Sequence, residues 1–152
     1  YNIGSATQKY ANIYATTFRG TATEAYYADL AENYTADAQY EPGTVVVFGG
    51  DAEVTVCTAK GDSKVAGVIS TNPAHLMNSH LEGDNIVELA LQGRVPCKVI
   101  GKVTKGDMLV TSAVPGYAIV ESTPGVGTVI GKALEDKLDG DRGTIEVVVG
   151  KH

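Results

Sequence analysis

Beyond residue 41 the chain is cut by glycine at short intervals, with sixteen of its eighteen glycines at or after that point. The pieces between them are short and rich in valine and isoleucine, which suits β-strands bounded by turns. Candidate strands are Thr44–Phe48, Glu53–Cys57, Lys64–Ser70, Ile86–Leu91, Arg94–Ile100, Met108–Thr111, Ala118–Glu121, Thr128–Lys132 and Thr144–Val149. Pro42-Gly43, Lys60-Gly61-Asp62, Lys105-Gly106-Asp107, Pro115-Gly116 and Asp139-Gly140-Asp141 are among the turns that separate them. Strands at this spacing, with no long helix between them, predict an all-β fold. A small glycine-turned β-barrel or sandwich fits better than βαβ units.

One longer insertion, Thr71–Asn85, holds two of the three histidines. Its Asn72-Pro73 start predicts a short helix around Ala74–Asn78. The sequence also contains an internal echo. Pro42-Gly43 and Lys105-Gly106 each stand before an apolar strand, and Val65-Ala66-Gly67-Val68-Ile69 resembles Val129-Ile130-Gly131-Lys132-Ala133 in outline. Two related half-barrels would produce this echo, and so would the small vocabulary of turns and strands.

Ahead of Glu41 the texture changes. Seven of the eight tyrosines lie there, among alanine and threonine, with little leucine, isoleucine or valine. Residues 1–40 therefore read as an extended, oligomerising segment and residues 41–152 as the globular domain. So little aliphatic mass cannot offset the entropy of ordering, so the segment must pack on the rest of the chain or on copies of itself. Tyr10, Tyr14 and Phe18 recur every four residues, a spacing that shares one face on a strand and on a helix alike. Thr16-Thr17 and Gly20-Thr21 favour the extended form. Residues Thr23 to Glu32 read as a short helix capped by Thr23. A chain opening on Tyr1 reads as part of a longer or processed polypeptide.

The formal charge of −6 argues against nucleic acid or an anionic membrane as a partner held by a basic surface. No apolar run approaches the roughly 18 residues of a membrane-spanning helix, and nothing resembles a signal peptide. Cys57 and Cys97 are too few for a disulfide scaffold; one bridge or two buried thiols both fit.

The residue types of catalysis are present without their patterns. Ser79, His80 and Asp84 supply the members of a triad, but neighbours in sequence rarely face one another and no G-x-S-x-G elbow exists. His75 and His80 are five apart, which does not share a helical face, and Asp139-Gly140-Asp141 has too few oxygen ligands for a calcium loop. The glycines of Pro124–Gly131 precede a strand, not the helix that a phosphate site needs. Asn78-Ser79 is a bond type at which a serine hydroxyl can attack the preceding carbonyl, given strain and an acid or base nearby. No catalytic, cofactor-binding or metal-ligating residue is assigned, and the chain reads as a non-enzyme.

One resemblance spans nearly the whole chain. The string Gly4-Ser5, then Tyr10-Ala11-Asn12-Ile13-Tyr14-Ala15-Thr16-Thr17-Phe18-Arg19-Gly20, resembles the segment before the C-terminal domain of many bacteriophage tail-fibre and appendage proteins. Tyr27–Tyr34, Glu41–Val46, Val65–Ala74, Gly93–Val99, Lys105–Val110 and Gly127–Glu135 follow in order, similar to the terminal domain of fibre-like structural proteins of marine and cyanobacterial phages. The S-D-x-R-L-K pattern of endosialidase-type autocleaving chaperones is absent.

That resemblance implies a virion structural protein, extracellular on a tail fibre or appendage. It implies a homotrimer that contacts other virion proteins and a host surface receptor, with neither cofactor nor membrane insertion. Tyr10, Ile13, Tyr14 and Phe18 would then form the subunit interface, each buried aromatic contributing ~2 kcal/mol. Isolated monomers of such a trimer should be poorly folded. Rival readings are an autoproteolytic chaperone domain, a capsid decoration protein, and a filament subunit assembled by strand donation.

Overall fold

Alternating valines place one row of side chains on each face of a strand, and closure of the sheet encloses the inward row. The computed structural model describes residues 3–15, 17 and 28–150. In order it contains β1 (Asp29–Thr35), β2 (Val45–Phe48), β3 (Val54–Val56), β4 (Val65–Ile69), β5 (His75–Met77), β6 (Ile86–Ile100), β7 (Met108–Thr111), β8 (Ala118–Val120), β9 (Val129–Ala133) and β10 (Arg142–Val149). No helix occurs among the described residues. The fold is all-β.

Five strands close a barrel: β6 pairs with β10, β10 with β9, β9 with β7, β7 with β8, and β8 returns to β6. The remaining strands repeat this circuit. β1 pairs with the first half of β6, that half with β4, β4 with β2 and β2 with β3. A single parallel bridge, Ala36 to Val54, brings β3 back to the end of β1.

The two circuits match residue by residue. Val46 faces Gly67 and Val47 faces Val65, so one β4 residue bulges out; Leu109 faces Gly131 and Val110 faces Val129 with the same slip. Val46 pairs with Val56 as Leu109 pairs with Val120. The parallel Ala36–Val54 bridge has its counterpart in Val99–Ala118. Even the turns agree: Gly43 N–H donates to Ile69 O at 2.8 Å, and Gly106 N–H donates to Ala133 O at 2.9 Å. Both glycines have positive φ, +81° and +95°, which a side chain would strain. The echo in the sequence is therefore a duplication of structure. β6 is the shared piece, the last strand of one unit running straight into the first strand of the next.

The cores show the same correspondence. Ala36, Val46, Val54, Ile69, Val87 and Leu89 fill the first unit. Val99, Leu109, Ala118, Ala133, Ile145 and Val147 stand at the equivalent positions of the second, all buried. Each unit holds one buried leucine, but Leu89 comes from the last strand of its unit and Leu109 from the second. The opposite face of the first unit (Val45, Val47, Cys57, Val68, Ala90) joins the core of the second. There the duplicated strands carry Met108, Glu121 and Lys132, which are only half-buried.

Three sequence expectations are corrected. The segment from Asp29 is strand β1, not the end of a helix, because it alternates inward Asp29, Ala31 and Asn33 with outward residues. Residues 23–27 of that expectation lie outside the described residues. The stretch around Ala74–Asn78 is strand β5, held parallel to β1. Finally, the composition change at Glu41 is not an edge of the fold, since β1 and Tyr40 pack on residues 44–100. Residues 28–150 have an interior of their own, so the expectation that the segment before Glu41 must borrow its core does not hold for residues 28–40.

Candidate functional site

What the fold leaves unpartnered is the amino-terminal arm. Tyr10 is 65% exposed, Ile13 74% and Tyr14 93%, and Ile3 is exposed as well. The arm's local hydrogen bonds, Ser5 N–H to Gln8 O at 2.8 Å and Gln8 N–H to Ser5 Oγ at 3.0 Å, form a turn that buries none of these side chains. Phe18, the fourth residue of the expected interface, lies outside the described residues. Spacing alone puts Tyr10 and Tyr14 on a common face; only the structure shows that no part of the described chain covers them or Ile13.

A second unpartnered surface lies between the two units. A groove of about 530 Å3 runs between β4 and the first half of β6 (Ala90, Leu91) on one side and β9 with the end of β10 on the other. Ala66, Leu91, Val129 and Val149 line it, and Val126 stands fully exposed on its lip. Sequence reading missed Val126, which looks like any residue of a Gly-Val-Gly turn.

Residues with chemical potential are dispersed. Ser79, His80 and Asp84 are exposed on the β5–β6 connection, and no hydrogen bond joins them among the described residues. Asn78 has φ +54°, its carbonyl accepts the Leu81 N–H at 3.1 Å and its amide donates to Asn33 O at 3.2 Å, so it forms a tight turn. His75 is exposed on β5, and no group of three or more His, Cys, Asp or Glu is set for a metal among the described residues. The Gly125–Gly127 turn leads into strand β9, with Thr128 Oγ1 donating to Gly125 O at 2.8 Å.

Cys57 and Cys97 are both buried and free, which decides between the two readings left open by the sequence. Burial pushes both thiols above the usual cysteine range, and for Cys97 the neighbouring Cys57 adds to the effect. Both are therefore neutral at physiological pH. A thiol reagent is expected to leave both unmodified in the folded protein and to label two groups in denaturant; fast labelling of either in the native state would contradict this packing.

Two carboxylates, Glu41 and Glu121, are paired with lysines from other segments. Lys98 Nζ joins Glu41 Oε2 at 2.9 Å and Thr44 Oγ1 at 3.0 Å, and Lys60 joins Glu121 at 2.8 Å. Those hydrogen bonds from lysine draw the Glu41 and Glu121 carboxyls below their ordinary range. Arg142 lies over the Tyr117 ring at 5.3 Å, pinning the start of β10 to the β7–β8 turn.

No family model matches the chain, and no curated protein matches it either. Among solved structures it is similar to the N base of the head fibre gp8.5 of bacteriophage phi29, at 15% identity and a TM-score of 0.45. That likeness covers 79% of this chain and 92% of the other.

Proposed function

We propose that this chain is a non-enzymatic structural domain of a phage appendage, in which three copies associate through the arm and present the duplicated β head outward. The observation that carries this reading is the arm. Tyr10, Ile13 and Tyr14 stand in solvent ahead of a head whose own interior is complete. Large apolar side chains on so short a segment gain ~1.5–3 kcal/mol each on burial, and sister arms with the same spacing offer that burial. With Phe18 they make the interface of the trimer. The ordered sequence resemblance to fibre-like proteins supports a virion, extracellular setting, with other virion proteins and a host surface receptor as partners.

Sedimentation equilibrium of the whole chain tests it. A species of three chain masses is expected, and Tyr10→Ser with Tyr14→Ser should shift it to monomer while circular dichroism of the head stays unchanged. A wild-type chain that remains strictly monomeric at high concentration would remove the trimer and leave the arm without a role.

A further inference from the structure

The two units close the same circuit by different means. In the first, sixteen residues join β4 to β6 and supply β5; in the second, only eight join β9 to β10. The shorter connection is organised around Lys137. Its backbone forms a two-way bridge with Val103, at 2.8 and 2.9 Å, and its side chain is just 9% exposed.

The ammonium at the end of that side chain is surrounded by oxygen. Nζ donates to Asp139 Oδ1 at 2.5 Å and to Asp141 O at 2.6 Å. It also lies 3.2 Å from Asp139 O and 3.3 Å from Gly101 O, so three protons serve four acceptors. The stem is given its path by Gly143, where a Cβ would stand 2.5 Å from Lys137 Cε. Asp139 Oδ1 also accepts the Asp141 N–H at 3.1 Å, which fixes the carboxylate in place. The lysine and that amide draw the Asp139 carboxyl below its ordinary range.

We propose that Gly101, Asp139 and Asp141 form a binding pocket for a univalent cation, filled in the native chain by the tethered Lys137 ammonium. Three carbonyl dipoles and one carboxylate balance one positive charge; a divalent ion would want more carboxylates. The oxygens come from two separated segments, the β6–β7 turn and the β9–β10 connection. Whatever cation sits between them therefore fastens the end of the second unit. Because the cation is part of the chain, the closure cannot be diluted or chelated away. This inference is independent of the phage reading.

Chemical rescue of the full-length chain tests it. Lys137→Ala vacates the pocket, whereas Lys137→Met fills the same path without charge. Melting temperatures are read in chloride salts of tetramethylammonium, potassium, ammonium, n-propylammonium and, at matched ionic strength, calcium. Work at about 0.2 M keeps surface charge screened throughout. Lys137→Ala should melt lower than wild type in tetramethylammonium and recover at least half of the loss in ammonium or n-propylammonium. Wild type and Lys137→Met should show no such difference between salts. If Lys137→Ala does not fold in tetramethylammonium, the recovery of folded protein on exchange into ammonium is the readout. Equal behaviour in all salts would reduce Lys137 to an ordinary loop contact and overturn the pocket. Calcium as the best restorer would overturn its univalent character.

Discussion

Gly93→Ala is expected to lose more than ~4 kcal/mol, enough to remove cooperative unfolding from a domain whose total stability is of the order of 5–15 kcal/mol. Gly93 is the residue at which β6 passes from the first unit to the second, and there the chain enters the head across it. A Cβ would stand 2.2 Å from Ala28 O and 2.7 Å from Asp29 Cα, both backbone atoms without a side-chain rotamer to yield. Its φ of +118° adds strain for any L side chain. Relief requires β1 to move away by more than an ångström. That would break the Arg94 N–H bond to Ala28 O at 3.2 Å and the 2.6 Å bond from Ser70 Oγ to the buried Asp29 carboxylate. Gly101→Ala is the control: φ is +87° there too, but nothing lies within 4 Å of the added carbon, so the cost is ~1 kcal/mol. Urea denaturation followed by circular dichroism reads both. A Gly93→Ala protein within ~1 kcal/mol of wild type would mean that the start of β1 does not approach Gly93 as described.

The sequence carries the strands of the second unit plainly, because their valines and isoleucines alternate between glycine turns. It hides β1. Asp29-Leu30-Ala31-Glu32 suits a helix by propensity, and its inward positions are Asp29, Ala31 and Asn33, polar or small rather than β-branched. What makes them tolerable inside is tertiary, such as the hydroxyl of Ser70 on Asp29. β6 reads as two strands because Gln92-Gly93 looks like a break; the glycine instead allows close passage of another segment. Pro96 falls within the second of those expected strands, Arg94–Ile100, and interrupts neither it nor β6. It is accepted mid-strand because its neighbours Arg94 and Lys98 turn their N–H groups away to Ala28 and Gly43.

Functional features divide along the same line. The shared face of Tyr10 and Tyr14 is written in their spacing, but their exposure depends on where the head ends. The Lys137 pocket leaves almost no trace in sequence, since three of its four oxygens are backbone carbonyls. Asp139-Gly140-Asp141 was the visible part. It has too few ligands for calcium, and the structure sets the ammonium of a lysine two residues upstream among its oxygens.

Gly131→Ala is the sharpest test of the duplication, with an expected loss of ~3–5 kcal/mol in the same denaturation experiment. Its Cβ would lie 2.1 Å from Val148 O and 3.1 Å from Val149 Cα. Gly67, the equivalent residue of the first unit, meets the equivalent carbonyl, that of Ala90, but at 3.1 Å. Its next neighbour is a Leu89 methyl at 3.3 Å, which a rotamer change can move. The two glycines therefore serve one geometry by different balances. Gly131 is required by space alone, since its φ is outside the left-handed region, while Gly67 has φ +146° and is required mainly by conformation. Gly131→Ala should for that reason cost more than Gly67→Ala, and the loss should come from the β9–β10 pairing. Hydrogen exchange at Gly131 to Ala133 and at Val147 to Val149 should accelerate ahead of exchange in β2 and β4. If the two variants lost equal stability, or if Gly131→Ala were tolerated, the close approach of β10 to the bulge in β9 would be wrong. With it would go the match of register on which the equivalence of the two units rests.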